Sequence, residues 1–461
     1  MDWLKEFKRY EEDFMKDLKG LLAIPSVRDD ATACENAPFG KGCRQALDYM
    51  LELGRKEGFD VVDIDGYAGV ISYGNHKESI GVLAHLDVVP VGEGWTKDPF
   101  DATVENGYIF ARGVLDDKGP GMAAFYALKM IKDLNIPMNK KIMLIYGCDE
   151  ETGMECMDYY VKQGHEVPSM GFTPDAEFPV IYGEKGCLHI NLQGTCNTVI
   201  QSMHAGSRPN VVIGKASLIV KEFQPAYQSL FDFYLQTNQL RGSVCECEEG
   251  VELMIEGTAA HAAMPYYGNN AALHLLNFVG NTYGDAFAKQ TYALLYDWQG
   301  KPLGIEKNGA YMGFLTMNTG IIQIKDGHVD ITIDIRYPND VTSNEVVESM
   351  KHAFTACDYP LQLNVTSDTK PLFVDPNSTL VQTLSQVYQA YTNDTFTPNI
   401  TIGGGTYAKK FPNFVAFGPE FPNRKEEPGI GGCHQKDEAI KVDDLMLSGA
   451  IYCAAIERLA K

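Results

Sequence analysis

The chain has 461 residues, 45% of them apolar, which is enough to build a sizeable core in two domains or in one large elaborated domain. Its 39 basic and 61 acidic side chains give a formal net charge of −22, which excludes partners that require a basic surface, such as nucleic acids and anionic membranes. Eleven scattered cysteines favour reduced thiols, and the N-terminal segment mixes charged with apolar residues, so we predict a cytoplasmic protein without a signal peptide or membrane span.

The first part of the chain alternates strand-like with helical segments. SIGVLAHLDVV and KKIMLIYGCDEE are apolar runs typical of buried strands, whereas GMAAFYALKMIKDL and MECMDYYVKQG have helical spacing. This alternation predicts an α/β domain with a mostly parallel sheet flanked by helices. In such sheets, functional residues gather at the carboxyl ends of the strands.

The middle of the chain has a different pattern. VELMIEGTA and HVDITIDIRYP alternate as half-buried strands do, and AALHLLNFVGNTYGDAFAKQ between them is a long helical stretch. The α/β pattern then returns with GGGTYAKK, NFVAFG and a C-terminal helix. We therefore predict one domain made of residues 1–185 and 374–461, with an α+β domain of residues 186–373 inserted into it.

Four segments of the α/β region end in acidic residues or histidine. These residues are His85 and Asp87, Asp116 and Asp117, Asp149 to Glu151, and Asp175. A helix cap explains one acid, and a lone histidine at a strand end is commonly structural, but the whole set requires nearby positive charge. Imidazole and carboxylate groups bind zinc, and this supply is sufficient for two ions bridged by a carboxylate and by a water that becomes the hydroxide nucleophile.

Six segments, in this order, resemble those of a known enzyme family: AHLDVVP, ARGVLDDKG, DEETG, PDAEFP, EGTAAHAAMP and GGGTYAK. The family is that of the dinuclear zinc peptidases, which includes aminoacylases, succinyl-diaminopimelate desuccinylase and carnosinase. The resemblance covers nearly the whole chain and is strongest to the bacterial peptidase V (Xaa-His dipeptidase) type. It implies a catalytic zinc-binding domain, an inserted lid domain and two Zn²⁺ per chain, with Mn²⁺ or Co²⁺ as alternatives.

The resemblance also implies a set of metal ligands. His85 and Asp175 would bind one zinc ion, and Glu151 and His434 would bind the other. Asp116 would bridge the two ions, and its peptide bond to the next residue would be cis.

Further roles follow from the same resemblance. Asp87 would orient His85, Glu150 would be the general base, and His261 would polarise the scissile carbonyl. The positions that would contact the substrate are Asn210, Arg336, Gly404 and Gly405. A surface ion pair remains an alternative for the arginine, and a plain loop for the glycines.

The function that the resemblance implies is hydrolysis of dipeptides by a monomer, in which the long middle domain covers its own active site and His261 acts in cis. An N-acyl amino acid deacylase or desuccinylase would use the same residues and stays an alternative. A catalytically silent relative that binds peptide or metal is the alternative outside enzymes. The joint presence of every expected ligand and of the base argues against it.

Overall fold

Two units can be separated in the computed structural model, which describes residues 1–424 and 427–461. The first unit consists of Met1–Tyr182, Val374–Ile400 and Gly405–Lys461, and the second consists of Gly183–Phe373 and Thr401–Gly404. The second unit is therefore formed by one long insertion and one four-residue insertion into the sequence of the first unit. A lid function for the middle segment stays a prediction.

The described residues form eleven α-helices: α1 (Trp3–Phe7), α2 (Glu11–Leu22), α3 (Lys41–Lys56), α4 (Lys118–Asp133), α5 (Glu155–Lys162), α6 (Pro225–Thr237), α7 (Ala271–Thr282), α8 (Ala286–Leu295), α9 (Ser343–Ala356), α10 (Thr379–Thr392) and α11 (Val442–Leu459).

Within the same described ranges there are twenty-four strands: β1 (Asp60–Ile64), β2 (Ala68–Tyr73), β3 (Ser79–His85), β4 (Thr103–Glu105), β5 (Tyr108–Phe110), β6 (Lys141–Gly147), β7 (Met170–Thr173), β8 (Ala176–Glu177), β9 (Ile181–Glu184), β10 (Gly186–Thr195), β11 (Ile200–Ala205), β12 (Lys215–Val220), β13 (Arg241–Cys247), β14 (Gly250–Glu256), β15 (Asn308–Gly309), β16 (Gly313–Phe314), β17 (Thr316–Lys325), β18 (His328–Tyr337), β19 (Gln362–Thr369), β20 (Leu372–Phe373), β21 (Ile400–Ile402), β22 (Phe414–Ala416), β23 (Pro419–Glu420) and β24 (Ala439–Lys441).

The main sheet of the first unit has the order β1-β2-β6-β3-β7-β22. Its centre is parallel, because β3 pairs in parallel with β6 and β7, and β7 pairs in parallel with β22. Its β1 edge is antiparallel. The predicted α/β class is confirmed, with a mixed rather than a purely parallel sheet. β3 is buried along its whole length, as expected for a strand covered by helices on both faces.

The helix after the paired aspartates is buried on almost all sides. Thirteen of the sixteen residues of α4 are buried, so almost every face of the helix contacts protein. Pro120 lies in its first turn, where a missing N–H removes no intrahelical hydrogen bond. The segment from Asp116 to the start of α4 is thereby fixed against the core.

The second unit is built on an eight-stranded sheet of order β13-β14-β12-β11-β17-β18-β10-β19, in which every neighbouring pair is antiparallel. Alternate residues of β10, such as Leu188 and Ile190, belong to the hydrophobic core, and the residues between them are on the opposite face. The long helical stretch of the sequence divides into α7 and α8. Gly284, with φ of 67°, lies at the break, and Asp285 caps α8.

Candidate active site

Three neighbouring parallel strands of the first unit end at the same edge. The register pairs His85, the last residue of β3, with Gly147, the last residue of β6. The acidic residues that follow β6, and Asp175 just after β7, therefore lie at the edge that carries His85. This is the carboxyl edge, where parallel sheets hold functional side chains.

Two groups of possible metal ligands share the carboxylate of Asp116. Its Oδ1 is 2.9 Å from Nε2 of His85, which is in turn 3.8 Å from Oδ2 of Asp175. Its Oδ2 is 3.0 Å from Nε2 of His434, which is 2.9 Å from Oε2 of Glu151. In each group the possible ligand atoms lie within 4.8 Å of one another. The two oxygens of Asp116 thus face two different groups.

The chemistry of these groups fits divalent cations. Imidazole nitrogens and carboxylate oxygens are ligands for zinc and similar ions. Oε1 of Glu151 is buried and has no hydrogen-bond partner among the described residues. Burial, followed by the charge of Asp116, raises the pKa of Asp175 to about 7, because the protein alone holds several carboxylates together. A bound cation would supply both the missing partner and the missing positive charge.

Asp87 contacts both the histidine and the acidic segment. Its main-chain oxygen is 2.9 Å from Nδ1 of His85, whereas its carboxylate Oδ1 is 3.5 Å from that nitrogen. The carboxylate accepts hydrogen bonds from the backbone amides of Glu150 (3.0 Å) and Glu151 (3.1 Å). β3 ends at His85, so Asp87 lies beyond the strand.

The three consecutive acids after β6 have different surroundings. Asp149 is fully buried, pairs with Arg28 at 2.9 Å and accepts the backbone N–H of Glu155 at the start of α5. Glu151 faces His434, as described above. Burial and then the charge of Asp175 raise the pKa of Glu150 well above its ordinary value. One acid is therefore structural, one lies in a ligand group, and the third is a carboxyl group whose environment favours the protonated form.

A buried ion pair that the sequence analysis missed supports the Asp116 loop. Oε1 of Glu438 accepts the backbone N–H groups of Gly113 (3.0 Å), Leu115 (2.9 Å) and Asp116 (3.3 Å), and its Oε2 is 2.5 Å from Nη1 of Arg112. Both side chains are almost fully buried. In the sequence, the one distinctive feature of Glu438 is that it lies four residues after His434. That position does not predict its contacts with Arg112 or with the backbone of the Asp116 loop.

The peptide bond between Asp116 and Asp117 is cis, as the resemblance implied. Oδ2 of Asp117 accepts the backbone N–H of His85 at 3.1 Å. The second aspartate of the pair therefore contacts the histidine's main chain, whereas the first faces its ring.

In the second unit, Asn210 and His261 lie on two segments that pair with each other. The backbone N–H of Ala262 donates to the main-chain oxygen of Asn210 at 2.9 Å, and Val211 forms a bridge with His261. Nδ1 of His261 accepts the N–H of Ala263 at 3.1 Å, which leaves the ring proton on Nε2. Burial and then the charge of Arg336 lower the pKa of His261, so the neutral ring with an Nε2–H donor is favoured.

Arg336 of β18 is held by its own strand. Nε and Nη2 donate to Oδ1 (2.7 Å) and Oδ2 (2.8 Å) of Asp334, and Nη1 donates to the main-chain oxygen of Gly403 at 3.3 Å. A hydrogen bond from His189 to the same carboxylate, followed by one to Cys187, raises the pKa of His189 to about 10. The surface ion pair considered from the sequence is thus replaced by a pair whose carboxylate is fully buried.

The glycine run lies close to the segment after His261. A Cβ placed on Gly403 would be 2.6 Å from Cβ of Ala263, so only glycine permits this approach. The residues after the run form a four-residue 3-10 helix, Tyr407–Lys410, rather than an α-helix. Gly404 belongs to the second unit and Gly405 to the first.

The candidate residues therefore fall into two sets. The first unit contains His85, Asp87, Asp116, Glu150, Glu151, Asp175, Gly405 and His434, and the second contains Asn210, His261, Arg336 and Gly404. All but Gly405 of the first set are linked by the contacts given above. Within the second set, backbone bonds connect Asn210 to the His261 segment, and Arg336 donates to the residue before Gly404.

The described part of the chain contains no helix that is both long and apolar enough to cross a membrane.

Comparison with known proteins identifies the family. The chain is 39% identical, over 100% of both sequences, to a Bacillus subtilis (strain 168) protein named "Putative dipeptidase YtjP". The fold is similar to that of human carnosine dipeptidase 1, with a TM-score of 0.55, 16% identity and coverage of 100% and 99% of the two chains. It is also similar to the aminoacylhistidine dipeptidase of Vibrio alginolyticus, with a TM-score of 0.54, 15% identity and 96% coverage of each chain. Residues 81–458 match the family model for peptidase family M20/M25/M40, and the chain belongs to that family.

Proposed function

We propose that the protein is a dipeptidase that uses two divalent cations, most simply Zn²⁺. The observation that carries this proposal is the position of Asp116, whose Oδ1 and Oδ2 each face a separate histidine at 2.9 and 3.0 Å. His85 and Asp175 would complete one site, and Glu151 and His434 would complete the other. Bound there, the cations would supply Lewis acidity and lower the pKa of a water molecule.

Glu150 would transfer the proton in this reaction. Burial and neighbouring carboxylates raise the pKa of its carboxyl group, and bound cations would favour its ionised form, which can first accept a proton from the attacking water and later return it to the leaving amine. Asp87 holds the backbone amide of Glu150 at 3.0 Å and so fixes the position from which the carboxylate acts.

The second unit would provide the groups that recognise the substrate. The Nε2–H of neutral His261 is a donor suited to the charge that develops on the scissile carbonyl oxygen. Arg336, whose orientation is fixed by Asp334, would bind the terminal carboxylate together with amides of Gly404 and Gly405. Asn210 would contact the substrate from the paired segment. We further propose that the second unit acts as a lid on its own chain and that the protein is a monomer.

Two observations favour peptides over acylated amino acids as substrates. The Bacillus subtilis relative, which spans the whole chain, carries a dipeptidase name. The net charge of −22 attracts the ammonium group that dipeptides carry and that N-acylated amino acids lack.

A substrate panel tests the proposal. The purified protein, loaded with zinc, would be incubated with dipeptides, tripeptides, N-acetyl amino acids and N-succinyl amino acids, and the Glu150→Gln variant would serve as the control. We expect hydrolysis of dipeptides that the variant lacks. Preferential hydrolysis of N-acetyl or N-succinyl substrates would assign the protein to the deacylases, and no hydrolysis of any substrate would contradict an enzymatic role.

We also propose a cytoplasmic location. All eleven cysteines, which lie in the described ranges, are free thiols, as is usual in a reducing compartment. Cell fractionation with an antibody against the protein tests this directly.

A further inference from the structure

A further cluster of possible metal ligands lies on the face of the second unit's sheet that is opposite the hydrophobic core residues Leu188 and Ile190. Cys187 and His189 are two residues apart on β10 and therefore point to the same face. The register places Asp334 of β18 directly opposite His189, and places Arg336 directly opposite Cys187. Four side chains of different chemistry thus form a two-by-two array on antiparallel strands.

The distances in this cluster match those of a tetrahedral zinc site. Sγ of Cys187 is 3.5 Å from Nε2 of His189, and that nitrogen is 3.3 Å from Oδ2 of Asp334. With bond lengths of about 2.3 Å to sulfur and about 2.0–2.2 Å to nitrogen and oxygen, a tetrahedral zinc ion separates its S and N ligands by about 3.6 Å and its N and O ligands by about 3.4 Å. Two of the three distances between ligand atoms are therefore those of a tetrahedral zinc site, and all three atoms lie within 4.8 Å of one another.

The other nitrogen of the imidazole is oriented by a hydroxyl group. Nδ1 of His189 is 3.0 Å from Oγ of Ser367, which is opposite His189 on β19. If Nδ1 donates to this hydroxyl, the lone pair of Nε2 points at the cluster, and such a contact is the usual support of a metal-bound histidine. The side chain of Asp334 is fully buried, whereas that of His189 is 29% exposed, so the cluster reaches the protein surface at the histidine.

We propose that Cys187, His189 and Asp334 bind one thiophilic divalent cation, such as Zn²⁺, at a site separate from the two ligand groups that contain Asp116. The cation would lose no ligand to Arg336, because a carboxylate oxygen has two lone pairs and Oδ2 of Asp334 uses one of them for Nη2. Charge is balanced, since a thiol and an imidazolium each release a proton to solvent when they bind a cation.

The proposal is independent of whether the protein hydrolyses dipeptides, and its test does not use activity. Full-length protein would be freed of metal with a chelator, kept reduced and titrated with Co²⁺ while near-ultraviolet absorption is recorded. A thiolate ligand gives an intense sulfur-to-cobalt charge-transfer band, whereas histidine and carboxylate ligands do not. The two ligand groups around Asp116 contain no cysteine, so cobalt bound by those groups gives no such band.

We expect the wild-type protein to show this band and to bind one more Co²⁺ per chain than Cys187→Ser does. Cys187→Ser should abolish the band, and His189→Asn should weaken binding of this additional ion at least tenfold. Cys433→Ser is the matched control, because this thiol precedes His434, and it should leave the band intact. Near-ultraviolet circular dichroism of each variant would verify folding. Absence of the band in the wild type, its persistence in Cys187→Ser or its loss in Cys433→Ser would overturn the proposal.

Discussion

Removing the carboxylate of Glu438 should destabilise the first unit more than removing the carboxylate of any exposed acid would. Glu438→Gln keeps an oxygen that can accept the amides of Gly113, Leu115 and Asp116, but it leaves Arg112, which is 1% exposed, without its counter-charge. Breaking a buried ion pair from one side costs about 3–5 kcal/mol. Glu438→Ala also leaves the three backbone amides without their acceptor, each at about 1–3 kcal/mol, so we expect a loss of at least about 6 kcal/mol for that variant.

The assay is urea denaturation of metal-free protein, because bound cations would add their own stabilisation. Glu427→Gln is the matched control: this exposed acid of the same C-terminal segment pairs with Lys441 at 2.9 Å, and its replacement should leave the midpoint unchanged. The double variant Arg112→Met with Glu438→Gln removes the unpaired charge. Its loss in free energy of unfolding should therefore be smaller, by at least about 1 kcal/mol, than the sum of the losses in the two single variants. If the free energy of unfolding of Glu438→Gln were within about 1 kcal/mol of that of the wild type, the reasoning would be refuted.

Three further predictions concern the sites themselves. Glu150→Gln should retain both cations and lose a factor of about 10²–10⁴ in turnover, whereas Glu151→Gln should lose one cation. Metal analysis together with kinetics checks this, and the opposite pattern would mean that the general base and the metal ligand are exchanged. His261→Ala should leave the metal content unchanged and lose a factor of about 10²–10³ in turnover. If the protein is a monomer, mixing this variant with Glu150→Gln should restore no activity, whereas recovery of activity would indicate sites shared between chains. Excess Zn²⁺ should raise KM for dipeptides in the wild type but not in Cys187→Ser, because coordination of a third cation would weaken, without breaking, the hydrogen bonds that Asp334 accepts from Arg336. This last effect rests on the proposed function, and equal responses of the two proteins would exclude it.

The fold class and the edge of the sheet that carries the first set of candidate residues were predictable from the sequence. Apolar runs ending in His85 and in Asp149 to Glu151 indicate parallel strands, and parallel strands bring their carboxyl ends together. The pattern of apolar residues did not predict the residue at which each strand ends. Because β3 stops at His85, Asp87 contacts the histidine ring most closely through its main-chain oxygen, and its carboxylate serves two backbone amides instead.

Contacts between distant parts of the chain could not be predicted from one sequence. Arg112 and Glu438 are 326 residues apart, and Arg28 and Asp149 are 121 residues apart, so only the tertiary fold shows that each acid has a cation. The same limit applies to the cluster of the second unit. The spacing of Cys187 and His189 is visible in the sequence, but their contact with Asp334 depends on the register between β10 and β18.

The most direct test of the two-cation proposal is to follow dipeptide hydrolysis while Zn²⁺ is added back to metal-free protein. The experiment would use the Cys187→Ser variant, so that the proposed third site does not take up zinc. We predict no hydrolysis without metal and a rate that reaches its maximum when two equivalents of Zn²⁺ are bound per chain. Full activity of protein shown by elemental analysis to be free of metal, or a maximum reached at one equivalent, would contradict the assignment of Asp116 as a ligand shared by two cations.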